Sequence, residues 1–204
     1  MFTHYYSERM IKMLNFVIAL EEGSKAQSTV DDKLIEDIAE GNMDALRKLY
    51  ETVHKTIYAF ALSITKNTHD AEDVLQETFL TIYNKAVNYK PQKKPMAWIF
   101  TIAKNLALMK LRYSAKADIT DDIDTHNEAE ISFSFIEDVE QRLIVETSIN
   151  KLEEDERIIL MLHAVGGLKN REIAQLLEVP VNTVLSKYNR TIKKMQKYLE
   201  KEGF

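Results

Sequence analysis

From Asp31 onward, apolar side chains recur at three- and four-residue intervals over most of the chain. That is the period of an amphipathic α-helix, not of a strand. Asp31 or Asp32 can cap a first helix bearing Leu34, Ile35, Ile38 and Ala39, with Gly41 as its stop. A second helix starts near Asp44 and carries Leu46, Leu49, Tyr50, Val53, Ile57, Phe60 and Ile64. Asn67–His69 interrupts the period, and a third helix carries Ala71, Val74, Leu75, Phe79, Ile82 and Tyr83. A loop over Asn88–Pro95 precedes a fourth helix from about Met96 to Tyr113, whose inward stripe reads as Trp98, Ile102, Leu106 and Met109. Residues 31–113 therefore predict one helical domain. The period lapses over 114–136 and resumes for 137–204, with breaks at Gly166-Gly167 and Val179-Pro180. The predicted fold class is all-α: two small helical domains joined by an acidic linker, the second a helix-turn-helix domain.

Residues 1–30 form an N-terminal extension. Its apolar stretch, Met10–Leu20, is broken by Lys12 and Asn15 and is too short to span a bilayer. No secretory cleavage site follows it. It reads as a loosely held amphipathic segment, as an extension from an upstream start (Met10 and Met13 are alternatives), or as a partner-binding arm.

Composition narrows the function classes. The 204 residues include five Gly and three Pro, where average usage gives about 14 and 10. That is too few turn residues for a many-stranded β fold. There is no Cys, which removes disulfides, thiolate metal sites and thiol catalysis and suits a reducing, cytoplasmic setting. His4, His54, His69, His126 and His163 lack metal-ligand spacing, and neither a Gly-rich phosphate loop nor a nucleophile motif is present. No enzyme activity, cofactor, metal, small-molecule substrate or membrane insertion is expected.

The formal net charge of −5 hides strong sorting. Residues 85–116 hold eight bases (Lys85, Lys90, Lys93, Lys94, Lys104, Lys110, Arg112, Lys116) and no acid. Residues 180–201 hold six bases against Glu200, whereas 117–141 hold nine acids and no base. A basic run is either a solvated face or a phosphate-binding one. Aromatics interleaved with the first run (Tyr89, Trp98, Phe100, Tyr113) favour nucleic acid, by phosphate contact and base stacking.

Leu168–Leu177, the turn Glu178-Val179 and the helix after Pro180 have the spacing of a helix-turn-helix. On the second helix Val181, Val184, Tyr188, Ile192, Met195 and Leu199 share one side. Asn182, Ser186, Asn189, Arg190, Lys193 and Lys197 share the other. Short polar groups followed by bases suit a recognition helix that reads base edges and then meets phosphate. A plain helical hairpin with a basic exterior is the alternative.

Asp70-Ala71-Glu72-Asp73-Val74-Leu75-Gln76-Glu77-Thr78-Phe79, then Trp98-Ile99, Ile102-Ala103-Lys104-Asn105, Leu168, Glu172-Ile173-Ala174 and Pro180-Val181-Asn182-Thr183-Val184 occur in that order. Over about residues 31–200 the chain resembles the bacterial extracytoplasmic-function sigma factors. The resemblance implies a non-enzymatic factor that binds core RNA polymerase, directs it to promoter DNA and is restrained by an anti-sigma factor. It implies that Asp70, Glu72, Asp73, Gln76 and Glu77 dock on the polymerase, with Val74 and Phe79 beside them. A capped, solvated helix start would look the same. Lys90, Lys93, Lys94, Trp98, Lys104, Asn105 and Arg112 are expected at the −10 element. Core packing competes for Trp98, and a structural hydrogen bond competes for Asn105. Thr183, Ser186, Lys187, Asn189, Arg190 and Lys193 are expected at the −35 element. The chain departs from the family pattern at Leu185, Lys187, Pro95 and Glu178, the last standing where Gly is frequent. A regulator that binds DNA alone through the helix-turn-helix is the rival reading.

Overall fold

The computed structural model describes residues 30–92, 94–117 and 146–201. These fall into two units, residues 30–117 and residues 146–201. Every regular element among the described residues is helical, so the fold is all-α. The expected acidic linker and the N-terminal extension lie outside the described residues, apart from their first or last few positions.

The unit 30–117 starts with α1, Asp32–Ala39, where the Asp31 side chain accepts the Leu34 N–H at 3.0 Å. Its end is set by Gly41 at φ 87°, and the Gly41 N–H reaches the Ile38 carbonyl at 2.9 Å. Glycine takes that backbone without the Cβ clash other residues meet. Next, α2 spans Met43–Thr65 and is capped by Asn42, two residues before Asp44. Its face of Ala45, Leu49, Val53 and Ile57 is buried, and from Ala59 to Thr65 every residue is buried. That makes α2 the central helix. Leu46 is only half-buried and Tyr50 is exposed, stacked flat on His54 with ring centroids 4.8 Å apart.

Helix α3, Thr68–Lys85, is capped by Asn67, whose side chain accepts the Asp70 N–H at 3.0 Å. A 3-10 turn over Ala86–Asn88 follows. Helix α4 spans Pro95–Ala117. Pro95 is its first residue, a position where an N–H has no intrahelical partner. Helices α2, α3 and α4 pack pairwise, and α1 lies against α2, α3 and the 3-10 turn. Phe60 and Phe100 meet edge to face at 5.0 Å in this core. Burying each contributes roughly 1.5–3 kcal/mol.

The inward face of α4 differs from the expected stripe. Met96, Ile99, Phe100, Ala103 and Ala107 are buried, while Trp98, Ile102 and Leu106 are half-buried and Met109 is exposed. Thr101, Lys104, Asn105 and Arg112 share one polar arc, the buried face lies opposite it, and the expected stripe lies between the two. Ala103 and Ala107 on the buried face are small enough to let the backbone approach its neighbours.

In the unit 146–201, helical residues 146–150 lead to α5, Glu154–Ala164. The Glu156 carboxylate accepts the Glu153 N–H at 3.1 Å and so closes the start of α5. Helix α6, Asn170–Leu177, starts the same way, with Glu172 accepting the Lys169 N–H at 2.8 Å. Helix α7 spans Val181–Lys201, with the Pro180 carbonyl accepting the Thr183 N–H at 2.9 Å. All three helices touch one another. Ile158–Leu162, Ile173, Ala174, Leu176, Val184 and Met195 form the core. Thr191 is fully buried too, its hydroxyl donating to the Lys187 carbonyl at 2.9 Å. Arg157 is buried as well and donates to the Leu152 carbonyl at 2.7 Å. Burial lowers its guanidinium below the ordinary value, opposed by the charges of Glu154 and Glu153.

The turn between α6 and α7 puts Glu178 at φ 57°, ψ 39°, the left-handed region. A side chain there meets the following carbonyl, which explains why glycine suits the position. Glu178→Gly is expected to stabilise the unit by about 1 kcal/mol, the left-handed penalty less the added chain entropy of glycine. Thermal unfolding followed by circular dichroism checks it.

Candidate nucleic-acid interface

Helix α7 turns Asn182, Ser186, Asn189, Arg190, Lys193 and Lys197 outward, and all six are exposed. Thr183 is half-buried at the same end of the helix, and Leu185 is 38% exposed among the polar groups. The Arg190 Nε–H donates to the Ser186 carbonyl at 3.2 Å. That bond ties the guanidinium back along its own helix. The face carries short polar groups at its N-terminal end and bases behind them, as the helical wheel indicates.

Two bases of α7 are engaged elsewhere. Lys187 pairs with Asp155, and Lys194 pairs with Glu156 at 2.8 Å. Both acids sit in the first turn of α5, so an acidic strip flanks the basic face. Lys187, expected as a free DNA contact, is half-buried in this pair. Burial pushes the Glu156 carboxyl up. Hydrogen bonds from Lys194 and from the Glu153 N–H, with the charges of Lys194 and Arg190, more than offset that. Its folded value is therefore below the ordinary one. The stability it adds is present above the ordinary value and is lost as pH falls through the folded one.

A phosphate brought to this face would compete with Asp155 for the Lys187 ammonium. Asp155→Asn is expected to raise affinity for a random duplex about two- to fivefold at low salt, with the gain shrinking as salt rises. Fluorescence anisotropy titrations at several ionic strengths measure it.

The unit 30–117 carries two further surfaces. On α3, Glu72, Asp73, Gln76 and Glu77 are exposed and Asp70 is half-buried. Lys110 of α4 reaches Asp73 at 2.6 Å and Asp70 at 3.7 Å. The Asp73 hydrogen bond, with the charges of Asp73 and Asp70, outweighs desolvation and raises the Lys110 ammonium above its ordinary value. The apolar neighbours of this acidic rim are not those expected. Val74 and Phe79 belong to the core, and the exposed ones are Leu80 (53%) and Tyr83 (43%), one and two turns further on. The reason is the 3.6-residue period: 74, 78 and 82 face α2 and α4, while 76, 80 and 83 face out.

The other surface lies around residues 89–105. Lys90, Asn105 and Arg112 are exposed, and Lys94, Trp98 and Lys104 are half-buried. Lys93 lies outside the described residues. Asn105 is not buried, so the reading that required a structural hydrogen-bond partner falls away. Trp98 is outside the core stripe, its ring 5.0 Å from the Tyr89 ring at an angle of 53°. Among the described residues no group of His, Asp and Glu could hold a metal ion, and no helix is long and apolar enough to cross a membrane.

Two family models match: sigma-70 region 2 over residues 49–117 and sigma-70 region 4 over residues 142–195. Together they take in more than half of the chain. It belongs to the sigma-70 family, as an extracytoplasmic-function sigma factor. One relative is the ECF RNA polymerase sigma factor SigW of Bacillus subtilis, 25% identical over 178 residues, which are 82% of this chain and 95% of that protein. Another is the RNA polymerase sigma-H factor of Pseudomonas aeruginosa, 26% identical over 181 residues, 83% of this chain and 94% of that protein. Among solved structures, the sigma factor RpoE of Bartonella quintana, crystallised with the anti-sigma factor NepR, superposes with a TM-score of 0.63. It is 20% identical and covers 76% of this chain and 96% of its own. CnrH, solved with the cytosolic domain of CnrY, gives 0.60 at 22% identity over 83% and 97%. At those identities the structures show a shared fold. The family is one of non-enzymatic initiation factors.

Proposed function

We propose that this sigma factor binds core RNA polymerase through the α3 rim and places two DNA-reading surfaces on a promoter. Asp70, Glu72, Asp73, Gln76 and Glu77, with Leu80 and Tyr83, form the polymerase contact. A face dense in carboxylates repels DNA and suits a basic protein surface. Lys90, Lys94, Trp98, Lys104, Asn105 and Arg112, with Lys93 from the same loop, engage the −10 element and hold an unstacked base. Stacking and pocket hydrogen bonds offset the cost of extruding it, a few kcal/mol. Thr183, Ser186, Asn189, Arg190 and Lys193 face the −35 element, and Lys187 joins them once it leaves Asp155.

The observation that carries this reading is the outward face of α7, six exposed polar and basic side chains on the second helix of a helix-turn-helix. The sigma role places the protein in the cytoplasm with the polymerase. By analogy with the RpoE–NepR complex above, its activity is held in check by an anti-sigma factor. Residues 31–113 act as the polymerase and −10 domain, 137–204 as the −35 domain, and the acidic segment between them as a tether through basic channels. Footprinting with and without core polymerase tests the reading. Protection only in the presence of core is expected, and protection by the free protein at physiological salt favours the regulator that binds DNA alone.

A further inference from the structure

The loop that follows the 3-10 turn is tied to α1 through one hydroxyl. Tyr89 Oη donates to the Asp32 carboxylate at 2.5 Å, across 57 residues of sequence. The backbone N–H groups of Gln92 and Lys94 interact with the same oxygen. Asp32 stands in the first turn of a helix anchored by Leu34, Ile35 and Ile38, all in the core. The Tyr89 ring then leans on Trp98. Burial first, and the Asp32 hydrogen bond and charge next, push the Tyr89 hydroxyl well above its ordinary value, so it remains a donor at every working pH.

We propose that Asp32 is a positioning residue for promoter opening: by holding Tyr89 Oη it fixes the Tyr89–Trp98 ring pair as a platform for an unstacked promoter base. The proposal rests on the −10 reading of Trp98 given above. The physical gain is preorganisation. A platform that is ordered before the base leaves the duplex loses no further rotamer freedom when the base arrives. Trp98 is carried by α4, whereas Tyr89 stands in the loop between the 3-10 turn and α4 and gains its mount from Asp32.

Trp98 is the only tryptophan of the chain, so its signals report on the platform directly. Holoenzyme is assembled with Asp32→Ala, Asp32→Asn, Tyr89→Phe and Trp98→Ala chains, and open complexes are scored on a promoter fragment recovered by run-off transcription. Asp32→Ala and Tyr89→Phe are expected to lower open-complex yield about tenfold, the effect of one lost charge-assisted hydrogen bond. In the free chains they are also expected to increase acrylamide quenching of Trp98 fluorescence. Asp32→Asn still offers an acceptor oxygen and restores both toward the parent chain. Tyr89→Phe removes one oxygen only and keeps the test open if Asp32→Ala fails to fold. Normal yield with Trp98→Ala overturns the reading of Trp98 together with the proposal. Reduced yield with Trp98→Ala but normal yield with Tyr89→Phe and Asp32→Ala overturns the proposal alone. Reduced yield with unchanged Trp98 signals also overturns it, because Asp32 then acts by another route.

Discussion

Reversing the charge at Glu72 and Glu77 together, Glu72→Arg with Glu77→Arg, is expected to abolish binding to core RNA polymerase, a loss of about 100-fold or more in affinity. Both carboxylates are exposed on α3. An exposed substitution away from caps and core changes stability by under about 0.5 kcal/mol, so the helical dichroism is expected to stay the same. Asp73 is a poorer choice for this experiment. It is bonded to Lys110, and an arginine there would face an ammonium and disturb the α3–α4 contact as well as the rim. Gel filtration with purified core measures the effect. Co-elution of the double variant at parental levels would remove the α3 rim from the polymerase contact.

The second large effect is expected at Arg190. Its Nε–H is bonded to the Ser186 carbonyl, and the side chain is exposed on the outward face; an arginine so placed has the donor fork for a guanine edge. Arg190→Ala is therefore expected to weaken promoter use by about 1–3 kcal/mol and to relax discrimination at one base pair of the −35 element. The variant is compared with the parent over a panel of −35 substitutions at fixed salt. A uniform loss across the panel, with a salt slope smaller by about one, would make Arg190 a phosphate contact. Lys187→Ala is the internal comparison, since Lys187 is bound to Asp155.

The parts of the fold legible in the sequence are those set by neighbours along the chain. Caps are local, and Asp31 and Gly41 mark the ends of α1 because their side chain and backbone act within three residues. The outward row on α7 is legible because that helix has a sharp division between apolar and basic sides. On α4 the apolar stripe alone misleads, since Trp98, Ile102 and Leu106 border the buried face, whereas the polar arc of Thr101, Lys104, Asn105 and Arg112 lies opposite it. Pairing across the fold is beyond periodicity altogether. Lys110 with Asp73, Lys194 with Glu156 and Tyr89 with Asp32 join positions 37, 38 and 57 residues apart. The first engages Asp73, a residue that looks free in the sequence, and the other two lie beside the α7 face and Trp98. Arg157 carries no sequence signal of burial either, because it sits beside three acids that suggest a solvated helix start.

The departure at Glu178 has a structural counterpart as well. The turn needs a left-handed residue, and the chain meets that need with a glutamate at φ 57°. Geometry of the helix-turn-helix is kept at a modest energetic cost, which leaves the outward face of α7 in its expected place.

The central claim is that these surfaces act on DNA as part of a transcribing complex. Run-off transcription over a genomic fragment library, with purified core polymerase and mapped 5′ ends, tests it most directly. The account predicts a defined set of start sites that appears only when core and this chain are both present. Identical start sites with and without the chain would contradict it.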